Sequence, residues 1–206
     1  MPFLKWIRYG AWAAVILISF TCAAILLGWW RVDGSRVTAE SRSNISTPVD
    51  IGGPFSLTDH RGKAVTDKDF VGKPMAVFFG FTHCPEVCPT TLVQLGNLTK
   101  QIGQAADKLQ ILFITVDPER DTPEQMALYL ESFDPRVVGL SGTREQVEAA
   151  LKAYKAYAKK VPTDGSYTMD HTASVYLMNA DGSFRTMIDY HEEDSSALAK
   201  IRMVLR

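Results

Sequence analysis

Met75-Ala76-Val77-Phe78-Phe79-Gly80-Phe81-Thr82-His83-Cys84-Pro85-Glu86-Val87-Cys88-Pro89 is the stretch that decides the architecture. Its first seven residues are continuously apolar, the pattern of a strand buried on both faces of a sheet. Beyond Pro89, Leu92, Leu95, Leu98 and Ile102 recur at helical spacing. Cys84 and Cys88 therefore fall at a strand-to-helix junction. That is the end of a sheet where ligands commonly bind, and where a helix N-terminus stabilises a thiolate.

Working outward, Leu109 to Val116 is a second short apolar run, and both strands are predicted to be central. Thr122-Pro123-Glu124-Gln125 supplies an N-cap, a first-turn proline and a capping-box partner, followed by Met126, Tyr129, Leu130 and Phe133 on one helical face. Thr143-Arg144-Glu145-Gln146 repeats the device, with Val147, Leu151, Tyr154 and Ala158 following at helical spacing. Pro54 to Thr66 reads as a hairpin with its turn at Asp59-His60-Arg61-Gly62, which leaves His60 in solvent. Ala173 to Met178 and Phe184 to Tyr190 flank Asp181-Gly182 as a second hairpin. Asp194 then caps a last helix with Leu198, Ile201 and Leu205 inward. Strands alternating with helices, with a hairpin at each end, predict an α/β fold: a mixed sheet flanked by helices.

Of 206 residues, 46% are hydrophobic and 22% charged, with 22 basic against 23 acidic side chains, which excludes a disordered chain and a sequence-independent nucleic-acid binder. Three cysteines are too few for a disulfide scaffold. Residues 1–50 hold five basic and three acidic groups, leaving 17 against 20 for residues 51–206.

Tyr9 to Trp30 carries no charge over 22 residues, about 33 Å as a helix and enough to span a bilayer. Lys5 and Arg8 precede it, so residues 1–8 are expected in the cytoplasm, with 9–30 as an uncleaved anchor. Cys22 lies inside that run as a small hydrophobe, and Ser19-Phe20-Thr21 before it fits a lipobox poorly. Residues 31–50, rich in Ser, Thr and Arg, read as a flexible tether, and 51–206 as one domain. A short N-terminus without an Arg- and Ser-rich presequence points to a bacterial inner-membrane protein with its domain in the periplasm, rather than a mitochondrial one.

The thiols are four residues apart, whereas thioredoxin-type redox sites use Cys-x-x-Cys. Positions i and i+4 share a helical face, so two thiolates plus a distant third ligand would make a soft-metal site for Cu(I) or zinc. His171 is the best third ligand, because Met169-Asp170-His171-Thr172 immediately precedes a strand. His83, adjacent to Cys84, reads as a thiol-tuning or surface residue, and His191, among acidic neighbours, as solvated. A peroxiredoxin is excluded, since the Pro and Thr required seven and three residues before its cysteine are Val77 and Phe81 for Cys84, and Phe81 and Pro85 for Cys88.

Four separated segments resemble the Sco/SenC family: Gly80 to Pro89, Val116-Asp117-Pro118-Glu119-Arg120-Asp121-Thr122-Pro123, Gly139 to Gln146, and Asp170-His171-Thr172. The resemblance implies a membrane-tethered thioredoxin-like fold and copper ligation by Cys84, Cys88 and His171. It implies service in assembling the binuclear copper centre of cytochrome c oxidase subunit II, with a copper donor protein or a thiol reductase as a further partner. Cu(I) accepts two thiolates and an imidazole, with Cu(II) left open, while structural zinc would want a fourth ligand. Asp117 and Asp170 are candidates for orienting His171 or gating access. The competing reading is a thiol-disulfide oxidoreductase with Cys84 and Cys88 as redox thiols. Against it, Asp170-His171-Thr172 stands where a thioredoxin-like reductase carries a proline.

Overall fold

The computed structural model describes residues 3–26 and 51–206, and the chain divides into two units, Met1–Pro48 and Val49–Arg206. In the first unit, α1 covers Phe3–Leu26. Side chains are described there at Tyr9, Trp12 and continuously only from Val15 to Ala24. Among the described residues no helix is long and apolar enough to cross a membrane. The far end of the expected anchor and the whole of the expected tether, residues 27–50, lie outside the described residues.

In the second unit the order is β1 (Ser56–Asp59), β2 (Ala64–Thr66), β3 (Met75–Gly80), α2 (Val87–Ile102), β4 (Gln110–Thr115), α3 (Pro123–Leu130) and β5 (Val137–Ser141). There follow α4 (Arg144–Ala153), β6 (Ala158–Thr163), β7 (Ser166–His171), β8 (Val175–Met178), β9 (Phe184–Ile188) and α5 (Asp194–Val204). Seven strands form one mixed sheet, β2-β1-β5-β4-β3-β8-β9, and β6 and β7 form a separate two-stranded sheet. This is a thioredoxin-like α/β architecture.

β3 and β4 run parallel near the middle of the sheet, and every residue of β3 is buried. The alternation along β3 sends Phe78 and Phe79 to opposite faces. Phe78 stacks on Phe113, which stacks on Tyr129 of α3, while Phe79 meets Tyr154, just past α4, and Tyr176 edge-on. Aromatic cores of this kind hold helices on both faces. α2 packs on α5, α3 on β5 and α4 on β1.

Several local expectations are corrected. α4 ends at Ala153 because Lys155 takes a left-handed φ of 54°, so Ala158 opens β6 instead of extending the helix. Thr122 accepts from the Gln125 N–H without the reciprocal bond of a capping box, whereas Thr143 and Gln146 form both bonds. Glu193, and not Asp194, occupies the N-cap of α5. His60 is half-buried, because β1 pairs with β5 as well as β2 and the Gly139 N–H donates to its Nδ1 at 3.1 Å.

Candidate metal centre

Cys88 lies in the first turn of α2, fully buried, whereas Cys84 sits in the turn before the helix and is half-exposed. The two thiols therefore do not share a helical face. They meet because the turn folds back, with the Cys88 N–H donating to Cys84 Sγ at 3.4 Å. The close approach of Cys88 to the sheet depends on Gly80, at the end of β3. A Cβ there would stand 2.5 Å from Phe113 and 2.7 Å from Cys88 Sγ. A glycine inside an otherwise bulky strand marks this kind of approach.

His171 arrives from the end of β7, outside the main sheet. Strand β8, which follows it, pairs antiparallel with β3 through Val175 and Phe78, so its start lies at the end of β3 nearest the thiols. The imidazole stands edge-on to Phe81 at 5.7 Å and to Phe78 at 6.1 Å. Its Nδ1 is 3.0 Å from the Thr172 carbonyl, to which only an N–H can bond. Nε2 is thereby left as an acceptor, 3.6 Å from Cys88 Sγ. The ligand atoms of Cys84, Cys88 and His171 all lie within 4.8 Å of one another, which is the geometry of a three-donor soft-metal site.

Hydrogen bonding from Cys88 pulls the Cys84 thiol down to about 4, against desolvation and helped by the N–H groups of Cys88 and Glu86. The bond to Cys84, then burial, pushes the Cys88 thiol up. One sulfur is held as thiolate and its neighbour as thiol. Beside them opens a pocket of about 250 Å³, walled by Phe81, Cys84, Pro85, Val87, Met169 and His171, with Glu86 and Asp170 also bordering it.

Neither carboxylate named in advance touches His171. Asp170 is exposed, and the buried Asp117 binds Arg120 Nε and accepts from the Tyr167 hydroxyl at 2.9 Å. Arg120 in turn lies 3.8 Å over the Tyr167 ring and 5.9 Å from the Phe81 centroid. The group that braces the cysteine turn is Asp121. Its fully buried carboxylate accepts from the Thr82 N–H at 3.0 Å, the Thr82 hydroxyl at 2.6 Å and the Thr115 hydroxyl at 2.7 Å. Burial pushes its carboxyl up, against the bonds from Thr82 and Thr115 that lower it. His83 is on the surface, with Nδ1 3.0 Å from Thr82 Oγ1, and His191 is exposed beside Tyr190, both away from the cluster.

The SCO1/SenC family model matches residues 43–206. The human mitochondrial protein SCO1 homolog is 36% identical over 203 residues, an alignment that covers 95% of this chain and 67% of that protein. The structure of Bradyrhizobium japonicum ScoI with copper bound superposes with a TM-score of 0.70 at 52% identity, covering 75% of this chain and 99% of the other. Yeast Sco1 with copper bound gives a TM-score of 0.69 at 35% identity, covering 75% and 87%.

Proposed function

This chain belongs to the SCO1/SenC family, and from that premise we propose that it is a copper metallochaperone serving assembly of the binuclear copper centre of cytochrome c oxidase subunit II. The observation that carries this reading is the convergence of Cys84, Cys88 and His171 within 4.8 Å, with the imidazole turned so that Nε2 is free to ligate. Two sulfurs and one imidazole suit Cu(I), a soft ion without strong geometric demands. The half-exposed Cys84 gives an acceptor a route to the cargo, and uptake releases the proton held on Cys88.

We place the chain in a bacterial inner membrane, with residues 1–8 cytoplasmic, 9–30 spanning, 31–50 as a tether and 51–206 in the periplasm. Supporting this are the uncharged run from Tyr9 to Trp30, the Lys5 and Arg8 that precede it, and the higher identity to the bacterial structure than to the yeast and human proteins. A copper donor or a thiol reductase completes the set of partners.

The acidified Cys84 thiol beside Cys88 also supports a second reading, a thiol-disulfide oxidoreductase keeping target cysteines reduced. Anaerobic Cu(I) titration separates the two. One copper per chain is expected, with Cys84→Ser, Cys88→Ser and His171→Ala each weakening retention while His60→Ala and His191→Ala leave it intact. Retention unchanged in His171→Ala would exclude the three-ligand site and favour the dithiol reading.

A further inference from the structure

The pocket beside the thiols contains a soft donor that the three-ligand site does not use. Tyr167, Met169 and His171 alternate along β7 and so share one side of the strand, successive members being about 6.6–6.8 Å apart. His171 stands edge-on to the Phe81 ring, and Tyr167 lies under Arg120, whose guanidinium carbon is 5.9 Å from the Phe81 centroid. Met169, between them, packs against the core and walls the pocket together with Phe81 and Cys84. Its flexible thioether can reach across such a space.

The other pocket residues offer Cu(I) little. Glu86 and Asp170 carry hard carboxylates, Thr168 a hydroxyl, and Phe81, Pro85, Val87 and Ala173 no donor at all. Among the described residues lining the pocket, Met169 alone adds a soft ligand to Cys84 and His171.

We infer that Met169 is a transfer ligand: its thioether binds Cu(I) when Cys84 lets go, so that the ion passes through a Cys88, His171 and Met169 site on its way to an acceptor thiolate. This rests on the copper-carrier reading above. Cys84 is the sulfur to leave first, because it is half-exposed whereas Cys88 is buried. One Cu–S bond to Cys84 breaks as one Cu–S bond to Met169 forms, copper stays Cu(I), and the freed Cys84 thiolate faces solvent. A neutral thioether holds the ion more weakly than a thiolate, so the intermediate is not a trap.

The test uses the full chain in detergent with its seven methionines replaced by selenomethionine. X-ray absorption at the copper edge is expected to show a copper–selenium scatterer in Cu(I)-loaded Cys84→Ser, and none after Met169→Leu is added. Met169→Leu alone, a volume-conserving exchange, should leave equilibrium Cu(I) affinity within about twofold while slowing transfer to a competing dithiol about tenfold, a change of roughly 1.4 kcal/mol in the barrier. Copper retained without a selenium scatterer, or transfer at the wild-type rate, overturns the assignment of Met169 and leaves the copper-carrier reading standing. Failure of the wild-type chain to take up Cu(I) overturns that reading and this one with it.

Discussion

Gly80 and Cys88 approach so closely that any side chain on the glycine would occupy the space of the sulfur, at 2.7 Å from a Cβ. The Phe113 ring would stand closer still, at 2.5 Å, so both the ring and the cysteine have to shift. Gly80→Ala is therefore expected to destabilise the domain by about 1–3 kcal/mol, as overpacking does, and to weaken Cu(I) retention disproportionately. Chemical denaturation and copper competition on the same preparation check it, and a variant that loses stability but keeps full affinity would contradict it.

Asp121 satisfies Thr82 and Thr115 from a site without solvent. Asp121→Ala strands those donors, at about 1–3 kcal/mol for each one left unpaired, and frees the turn that carries Cys84. Asp121→Asn keeps an acceptor and removes the buried charge, whose pKa is raised chiefly by desolvation. The Asn variant should retain copper better than the Ala variant, and hydrogen exchange around Thr82 to Cys84 should accelerate only in the latter.

Asp134 is gripped by Arg136 through bonds of 2.8 and 2.7 Å, and Arg136 also donates to Thr99. The guanidinium holds the Asp134 carboxyl below its usual range. A depressed carboxylate contributes stability above its unfolded value, about 3.9, and loses it as pH falls through the folded value. Arg136→Met should lower stability at pH 7 by roughly 1–3 kcal/mol and flatten the acid limb of a stability–pH curve below about pH 4. An unchanged acid limb would remove the pair from the account.

Lys5 and Arg8 ahead of an uncharged run predict orientation as well as attachment. Protease added to spheroplasts should digest residues 51–206 and spare an N-terminal tag. A freely soluble mature form would be incompatible with an anchor.

The two thiols and the strands around them were legible because burial on both faces leaves no polar residue in Met75 to Phe81. His171 was legible through its place just before β8. The hairpin that carries it was not: β6 reads Ala-Lys-Lys-Val-Pro-Thr, half-exposed and without apolar alternation, and only Asp164-Gly165 signals its turn. Helical spacing carried on past Tyr154 to Ala158, since a periodicity does not register a left-handed residue at Lys155. Asp121 was missed for another reason. Its partner Thr82 is 39 positions away, and nothing local in either segment announces the bond.

The β6–β7 hairpin closes on itself at its base, where Tyr157 and Thr172 exchange bonds, and reaches the rest of the domain through Tyr167, bound to Asp117 and lying under Arg120, through Met169, packed on the core, and through Glu119, which receives Lys160 from the hairpin and Arg144 from α4. Its tip at Asp164-Gly165 makes none of these contacts. Imidazole and thiols are thus separable modules, one on an appendage and the other on the sheet. His171 pairs with Ala158 at the base of that appendage, so lengthening or trimming the hairpin at its tip leaves both the nitrogen and the sulfurs where they are. Loss of that imidazole alone would leave a plain dithiol protein, so the boundary between metal trafficking and thiol exchange rests on a single side chain.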